Sequence, residues 1–192
     1  SMVYGAAVDH EFSKRCHGGI EYYRRDLKKI TTVVDIVENW NEDNVHAYLY
    51  LTLASNLLLN SEYVYELFDR EFDTRDQNPN ESAPFEMETH IVPATLGYFH
   101  ATGIFGLLKA TFVDQTVMLV DQPEEKKDDF VLVDLVAGFR LPLRYGILSL
   151  EIKNLFDQQF NYIGTDGRTS QTAVNTPFVP ERTVFARLSL SF

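Results

Sequence analysis

The chain of 192 residues contains one cysteine, Cys16, so it can form no internal disulfide, and no zinc-ligand spacing surrounds that thiol. It also lacks any run near the ~18 consecutive apolar residues that a membrane helix requires, which excludes helical insertion but not insertion as strands. Cations are scarce: 17 Lys and Arg stand against 28 Asp and Glu, for a formal charge of -11. Nucleic acid is therefore excluded as a partner, because phosphate binding needs clustered Lys and Arg to displace counterions. No glycine loop that could cradle phosphate is present, and Gly164-Thr-Asp-Gly167 reads as a turn. His10, His17, His46, His90 and His100 fall on separate segments without a second ligand at metal spacing, so neither a metal nor a cofactor is expected. No secretory signal is visible at Ser1-Met2-Val3-Tyr4-Gly5; Ser-Met reads as a cloning remnant, and the chain as a piece of a longer one.

Aromatic residues are plentiful, with 14 Phe and 10 Tyr, and hydrophobic residues make up 45%. The last segment, Thr183 to Phe192, alternates with period two. Val184, Ala186, Leu188, Leu190 and Phe192 fall on one face, and Phe185, Arg187, Ser189 and Ser191 on the other. That is the pattern of a strand with lipid on one side and water on the other.

Breaks between such segments sort into short and long. Short ones are expected at Lys28-Lys29, Ala54 to Asn56, His100 to Gly103 and Pro142 to Gly146. Long ones are expected at Ser13 to Gly18, Asn41 to Asn44, Asp73 to Pro84, Asp121 to Asp129 and Asn161 to Glu181. Outer-membrane barrels alternate short periplasmic turns with long outer loops in this way. Between the breaks lie about ten strands: Met2 to Phe12, Gly19 to Leu27, Ile30 to Trp40, Val45 to Leu53, Leu57 to Phe72, Phe85 to Phe99, Gly103 to Met118, Phe130 to Leu141, Ile147 to Phe160 and Pro180 to Phe192. The expected fold is all-β, an antiparallel up-and-down transmembrane β-barrel occupying residues 1–192 as one domain or as the last part of a larger barrel, without a plug domain. With an even count both termini would be periplasmic.

Charge is expected on the lumen side. Leu57, Leu59, Tyr63, Tyr65 and Leu67 oppose Asn60, Glu62, Glu66 and Arg70, and Val131, Val133, Leu135, Ala137, Phe139 and Leu141 oppose Leu132, Asp134, Val136, Gly138 and Arg140. Asp35, Glu88, Lys109, Glu151, Lys153 and Arg187 would join the lumen charges, where ion pairing in a wet interior is cheap. Glu62, Glu66, Arg140, Glu151, Lys153 and Arg187, with the loop tips Asp73 to Pro84 and Asn161 to Pro180, are the candidate ligand-binding residues. Two aromatic belts are expected, Tyr98, Phe99, Phe105, Phe139, Tyr145 and Phe192 beside the short turns and Trp40, Phe112, Phe130, Phe156 and Phe160 toward the long loops. Pro93 in mid-strand suggests a bulge or an edge. The run Glu124 to Asp129 reads as a charged loop tip that could meet divalent cations or lipopolysaccharide. His90 beside Glu88 could be pictured as a base, but no nucleophile accompanies it, and no catalysis is expected.

Four elements in order, from Asp129 to Phe192, resemble the end of TonB-dependent outer-membrane receptors. They are the strand Phe130 to Arg140 followed by a short turn, the strand ending Asn154-Leu155-Phe156-Asp157, a loop with an aromatic such as Tyr162, and Pro180-Glu181-Arg182 leading into a last strand that ends on Phe192. The resemblance implies an outer-membrane location and uptake of a scarce ligand such as an iron chelate. It also implies partners: outer-membrane lipid and lipopolysaccharide, the barrel-assembly machinery that reads Phe192, and an energy-transducing periplasmic protein if a plug lies upstream. Such receptors have about twenty-two strands, so the chain would be the carboxy-terminal part of a receptor-sized barrel or belong to a shorter relative that ends in the same way. Alternatives are the barrel tail of an exported repeat-containing protein and a soluble secreted β-sandwich that binds a ligand.

Overall fold

The computed structural model describes residues 1–31, 36–72, 84–119, 124–163, 178–179 and 181–191. Its strands are β1 (Met2–Ser13), β2 (Cys16–Thr31), β3 (Ile36–Ala54), β4 (Leu57–Phe72), β5 (Pro84–Phe99), β6 (Ile104–Leu119), β7 (Lys126–Arg140), β8 (Gly146–Lys153) and β9 (Thr183–Leu190). They form one nine-stranded sheet in sequence order, with every neighbouring pair antiparallel. The expectation of an all-β, up-and-down antiparallel architecture is met. Two parts of it change. Among the described residues the strands number nine and the sheet is open, since β1 and β9 each have a single neighbour there. All nine lie in one sheet, so the two-sheet sandwich is not their architecture.

The lost strand lies at Asn41 to Asn44, which is not a break. These residues continue β3 and pair with Asp26 to Tyr23 of β2. Their charges are satisfied across the strands, with Arg24 Nη1 donating to Asp43 Oδ2 at 3.1 Å and Arg25 Nε to Glu42 Oε2 at 2.6 Å. Lys28-Lys29 likewise lies inside β2, and the connection from Ser13 to Cys16 is a tight turn at Lys14 and Arg15. Short turns therefore join β1 to β2, β3 to β4, β5 to β6 and β7 to β8, all at one end of the sheet. At the other end the connections are 32–35, 73–83, 120–125 and 154–182, all but the first of them longer. Because the count is odd, β1 starts at the long-connection end and β9 finishes at the short-turn end, so the two termini do not share an end.

Register alternation gives the sheet two unlike faces. One face carries an apolar row that follows paired residues from β2 to β9: Cys16, Leu51, Leu59, Leu96, Leu108, Leu135, Ile152 and Val184. We call it the open face, since Leu108, Leu148, Leu150, Val184 and Leu188 on it are exposed. The opposite, sheltered face holds the buried strand residues, among them Trp40, Phe68, Met87, Val113, Val117, Phe130 and Leu132. On β6 the open face reads Ile104, Gly106, Leu108, Ala110 and Phe112 before its first charge, Asp114. That run is about 27 Å along the strand, or roughly 20 Å in height at the ~40° tilt of a barrel strand.

Beyond this band, toward the long connections, the same face turns charged: the paired row Arg24, Asp43, Leu67, Glu88, Thr116 and Lys127 crosses β2 to β7. Glu88 is thus on the open face beside Leu67, not with the sheltered charges as the sequence suggested. Lys126 to Asp129 belong to β7 rather than to a loop tip, and Lys127 Nζ lies 3.0 Å from Asp114 Oδ2. Pro93 stands in a central strand. Pairing with β4 has a gap around it, between Ser61 with Ala94 and Val64 with Ile91, yet the register is the same on both sides, so there is neither bulge nor edge.

Candidate functional site

The sheltered face is divided in two. Its long-connection half is covered by the chain that follows β8, and its short-turn half is not.

The cover begins at Asn154, the first residue of the four-residue motif singled out from sequence. Asn154 adopts φ 50° and Asp157 φ 56°, left-handed values that Asn and Asp tolerate better than most residues. Asn154 is only 1% exposed and makes several bonds there. Its Oδ1 accepts from Gln158 N at 2.8 Å, and its Nδ2 donates to Gln158 O at 3.0 Å and to Val179 O at 3.4 Å. Its backbone N donates to Asp134 Oδ1 at 2.9 Å. Asp157 Oδ1 accepts from Arg182 N at 2.9 Å, joining the turn to the approach of β9. Leu155 N continues the ladder to Val133 O at 2.7 Å, while Phe156 is 72% exposed. Two of the motif's four residues are therefore caps that turn the chain back over the sheet.

The returning segment is gripped by Gln115 of β6. Its Nε2 donates to Ile163 O at 3.0 Å and to Thr89 Oγ1 at 3.0 Å, and its Oε1 accepts from Ile163 N at 2.9 Å. Around this clamp lie two apolar clusters. Trp40, Phe68, Met87 and Val117 form one, with Ile163 against it, and Val113, Phe130, Leu132 and Tyr162 form the other, with Phe160 and Phe178 against it. Phe130 stacks on Phe160 at 4.5 Å between ring centres. Burial, and secondarily the nearby Glu66 carboxylate, push the Tyr162 phenol up to about 12. Trp40 and Phe130, expected in an aromatic belt, face inward and build this core instead.

From β1 to β4 the uncovered half of the sheltered face is mainly polar. His46 sits between two carboxylates, with Nδ1 3.1 Å from Glu21 Oε1 and Nε2 3.1 Å from Glu62 Oε2. Tyr48 donates its hydroxyl to Asp9, and His17 stacks on Tyr50. Among the described residues no three or more His, Cys, Asp or Glu side chains are arranged to hold a metal ion.

The six candidate ligand-binding residues share this face but not one place. Glu62 belongs to the His46 bridge, and Glu66 stands between Val64 and Phe68, two positions along the same side of β4. Glu151 pairs with Lys153 at 3.4 Å, and Arg187 lies opposite Ser149 on β9. Arg140 ends β7 at the short-turn rim, its guanidinium 5.5 Å from the Phe99 ring centre and 5.9 Å from that of Phe105. Pro180, Phe192 and the Asp35 side chain lie outside the described residues, as do 73–83 and 164–177 of the loop tips. His90 is on the open face, where Nδ1 is 2.9 Å from Tyr63 Oη and Nε2 3.4 Å from Glu88 Oε1. Sequence reading missed His46 and Gln115, whose partners are at least sixteen residues away in the chain; only the strand register brings them together.

No protein-family model matches this chain, and no curated protein or solved structure is significantly similar to it.

Proposed function

We propose that this chain is part of the wall of a bacterial outer-membrane β-barrel, similar to the end of a TonB-dependent receptor, and that it serves the uptake of a scarce ligand such as an iron chelate. The observation that carries the reading is the unbroken apolar row from Cys16 to Val184 on the exposed side of the sheet, bordered by charge toward the long connections only. Water offers nothing to the exposed Leu96, Leu108, Leu148, Leu150 and Leu188 of this face; a hydrocarbon layer about 25 Å tall does. Tyr22, Tyr63, Tyr65 and Phe112 stand where the band meets the charges, the level at which amphipathic rings gather at a membrane interface.

Strand direction supports membership in a larger wall. Both free edges, β1 and β9, run from the long-connection end to the short-turn end. Joining them directly would make a parallel pair, whereas an odd number of further strands closes the sheet with antiparallel pairs alone and gives the even total of bacterial barrels. In this reading the sheltered face is the lumen, the 154–163 segment is an inward-folded outer loop, and the chain contributes wall and recognition surface rather than catalysis. Lipopolysaccharide and outer-membrane lipid would meet the open face, the assembly machinery the last strand, and a periplasmic energy-transducing protein a plug carried elsewhere.

Solubility tests the proposal. The purified chain is expected to need detergent or lipid to stay dispersed, and its open-face residues Leu96, Leu108 and Leu148, changed singly to cysteine and spin-labelled, are expected to be accessible to oxygen and shielded from a polar relaxant in liposomes. A chain that remains monodisperse in plain buffer, or labels that see the polar relaxant freely, would overturn it.

A further inference from the structure

At the short-turn rim a cavity of about 440 Å3 opens between the β5–β6 turn and the β7–β8 turn. Three side chains form one wall. The Phe99 and Phe105 rings are near-parallel, 6.2 Å between ring centres and 17° apart in plane, and the Arg140 guanidinium stands 5.5 and 5.9 Å from the two ring centres. The position of the Phe105 ring depends on Gly138, across from it in β7, since a Cβ there would overlap the ring. Cation–π attraction to two rings holds the guanidinium at the rim, where its N–H groups remain available to an incoming acceptor.

That guanidinium has no carboxylate partner among the described residues, and neither has the guanidinium of Arg187, which lies on the same face one strand beyond β8. Arg140 and Arg187 thus put two guanidinium groups without a carboxylate partner toward one rim of one face, in a chain of net charge -11. The nearest sheltered carboxylate on these strands, Glu151, is already taken by Lys153. The other turn adds a donor. Thr102 donates to His100 Nδ1 from its hydroxyl at 2.7 Å and from its backbone N–H at 3.3 Å, so in the neutral ring the proton sits on Nε2.

We propose that this rim cavity binds a carboxylate carried on a flat apolar body, the carboxylate taken edge-on by Arg140 and the body laid against Phe99 and Phe105. A guanidinium meets a carboxylate with two parallel hydrogen bonds, which add geometric selectivity to the charge attraction, and the two rings offer the apolar body a surface to lie on. The chemistry is shared by two sources, a small free acid and the carboxyl terminus of a polypeptide ending in an aromatic residue. The inference does not depend on the membrane reading, since it uses only the geometry of the rim.

The test uses the whole chain, in whichever buffer or detergent keeps it monodisperse, and 4-fluorobenzoate as the probe, followed by its fluorine resonance. The acid is expected to bind saturably and its uncharged analogue 4-fluorobenzamide at least about tenfold more weakly. Arg140→Gln should lose at least about tenfold, and Arg140→Lys, which keeps the charge but not the fork, should fall between. Because Arg140 is exposed, these variants fold as the parent does; the Nε–H resonance of Arg140 in the unsubstituted chain, shifting in step with the probe, reads the same contact without any substitution. Absence of saturable binding, an amide that binds as well as the acid, or an Arg140→Gln chain that binds as the parent would each overturn the proposal. A pentapeptide ending in Phe, compared with its carboxamide, then separates the sources: tighter binding than the benzoate assigns a polypeptide terminus, and weaker binding a free acid.

Discussion

The two faces of this sheet are made by the same strands and follow opposite rules. On β6, Leu108 and Ala110 look outward into nothing the chain supplies, while Val113 and Gln115 look toward a specific set of partners. The open face is defined by what it leaves out, since any apolar side chain would serve at each site of the row from Cys16 to Val184. The sheltered face is defined by pairs: Gln115 with Ile163, Asn154 with Gln158 and Val179, His46 with Glu21 and Glu62. Repetition is what a solvent asks of a surface, and complementarity is what a packed interior asks of it.

Substitutions can break or sharpen that contrast. The largest effect is expected on the open face: Leu108→Arg should destabilise the chain refolded into lipid by about 2 to 4 kcal/mol, although a natural lysine stands next to it. Leu188→Arg should do the same near the edge, and Ser189→Lys, one residue on and facing the other way, should cost much less. Equal tolerance of the two in a lipid refolding titration would remove the distinction between the faces. On the sheltered face, Asn154→Ala gives up a buried set of hydrogen bonds and a residue suited to positive φ, at a cost of roughly 2 to 3 kcal/mol in a denaturant midpoint. Faster amide exchange should appear from Leu155 to Ile163 before anywhere in β1 to β4.

Tyr162 supplies a pH test. Burial raises its folded phenol above the usual tyrosine range, so between pH 10 and 12 the folded chain holds a proton that the unfolded one releases. Stability from this group is complete below pH 10 and falls as pH rises from 10 toward 12, by roughly 2 kcal/mol. Tyr162→Phe should remove that part of the alkaline slope; a slope unchanged by the substitution would place the phenol in water. Next in size, Gln115→Leu should cost about 1 to 2 kcal/mol and loosen the Ile163 amide, because both of its bonds to that residue are lost. Smallest is Glu62→Gln, expected below about 1 kcal/mol in thermal unfolding, since the His46 bridge is partly open to water.

Much of the strand layout was legible because alternation is strongest where one face is apolar. From β4 to β9 the strands expected from period two coincide with those formed to within a few residues, β8 apart, which stops at Lys153 short of Phe160. Legibility failed in β2 and β3, where the strands run past the apolar band and both faces turn polar. There Glu42, Asp43 and Asn44 look like a loop in one dimension, and only the arginines of the neighbouring strand make them a ladder. The same limit hid His46 and Gln115. The motif Asn154 to Asp157 was noticed for its likeness to a receptor ending, but its physical task, two left-handed residues capping an inward turn, could not be read without coordinates.

That turn bears on the order of assembly. Eight strands follow one another through connections that close locally, but β9 must find β8 across residues 154–182, and chain entropy makes such a closure about 2 kcal/mol harder than that of a two-residue turn. The bonds from Asn154 to Val179 and from Arg182 to Asp157 clip the base of the loop and bring Thr183 to the edge of β8. Whichever forms first, β9 is a strand recruited by its own connector: the last member of the sheet is delivered by a knot of polar atoms, not by the slow search of a free end.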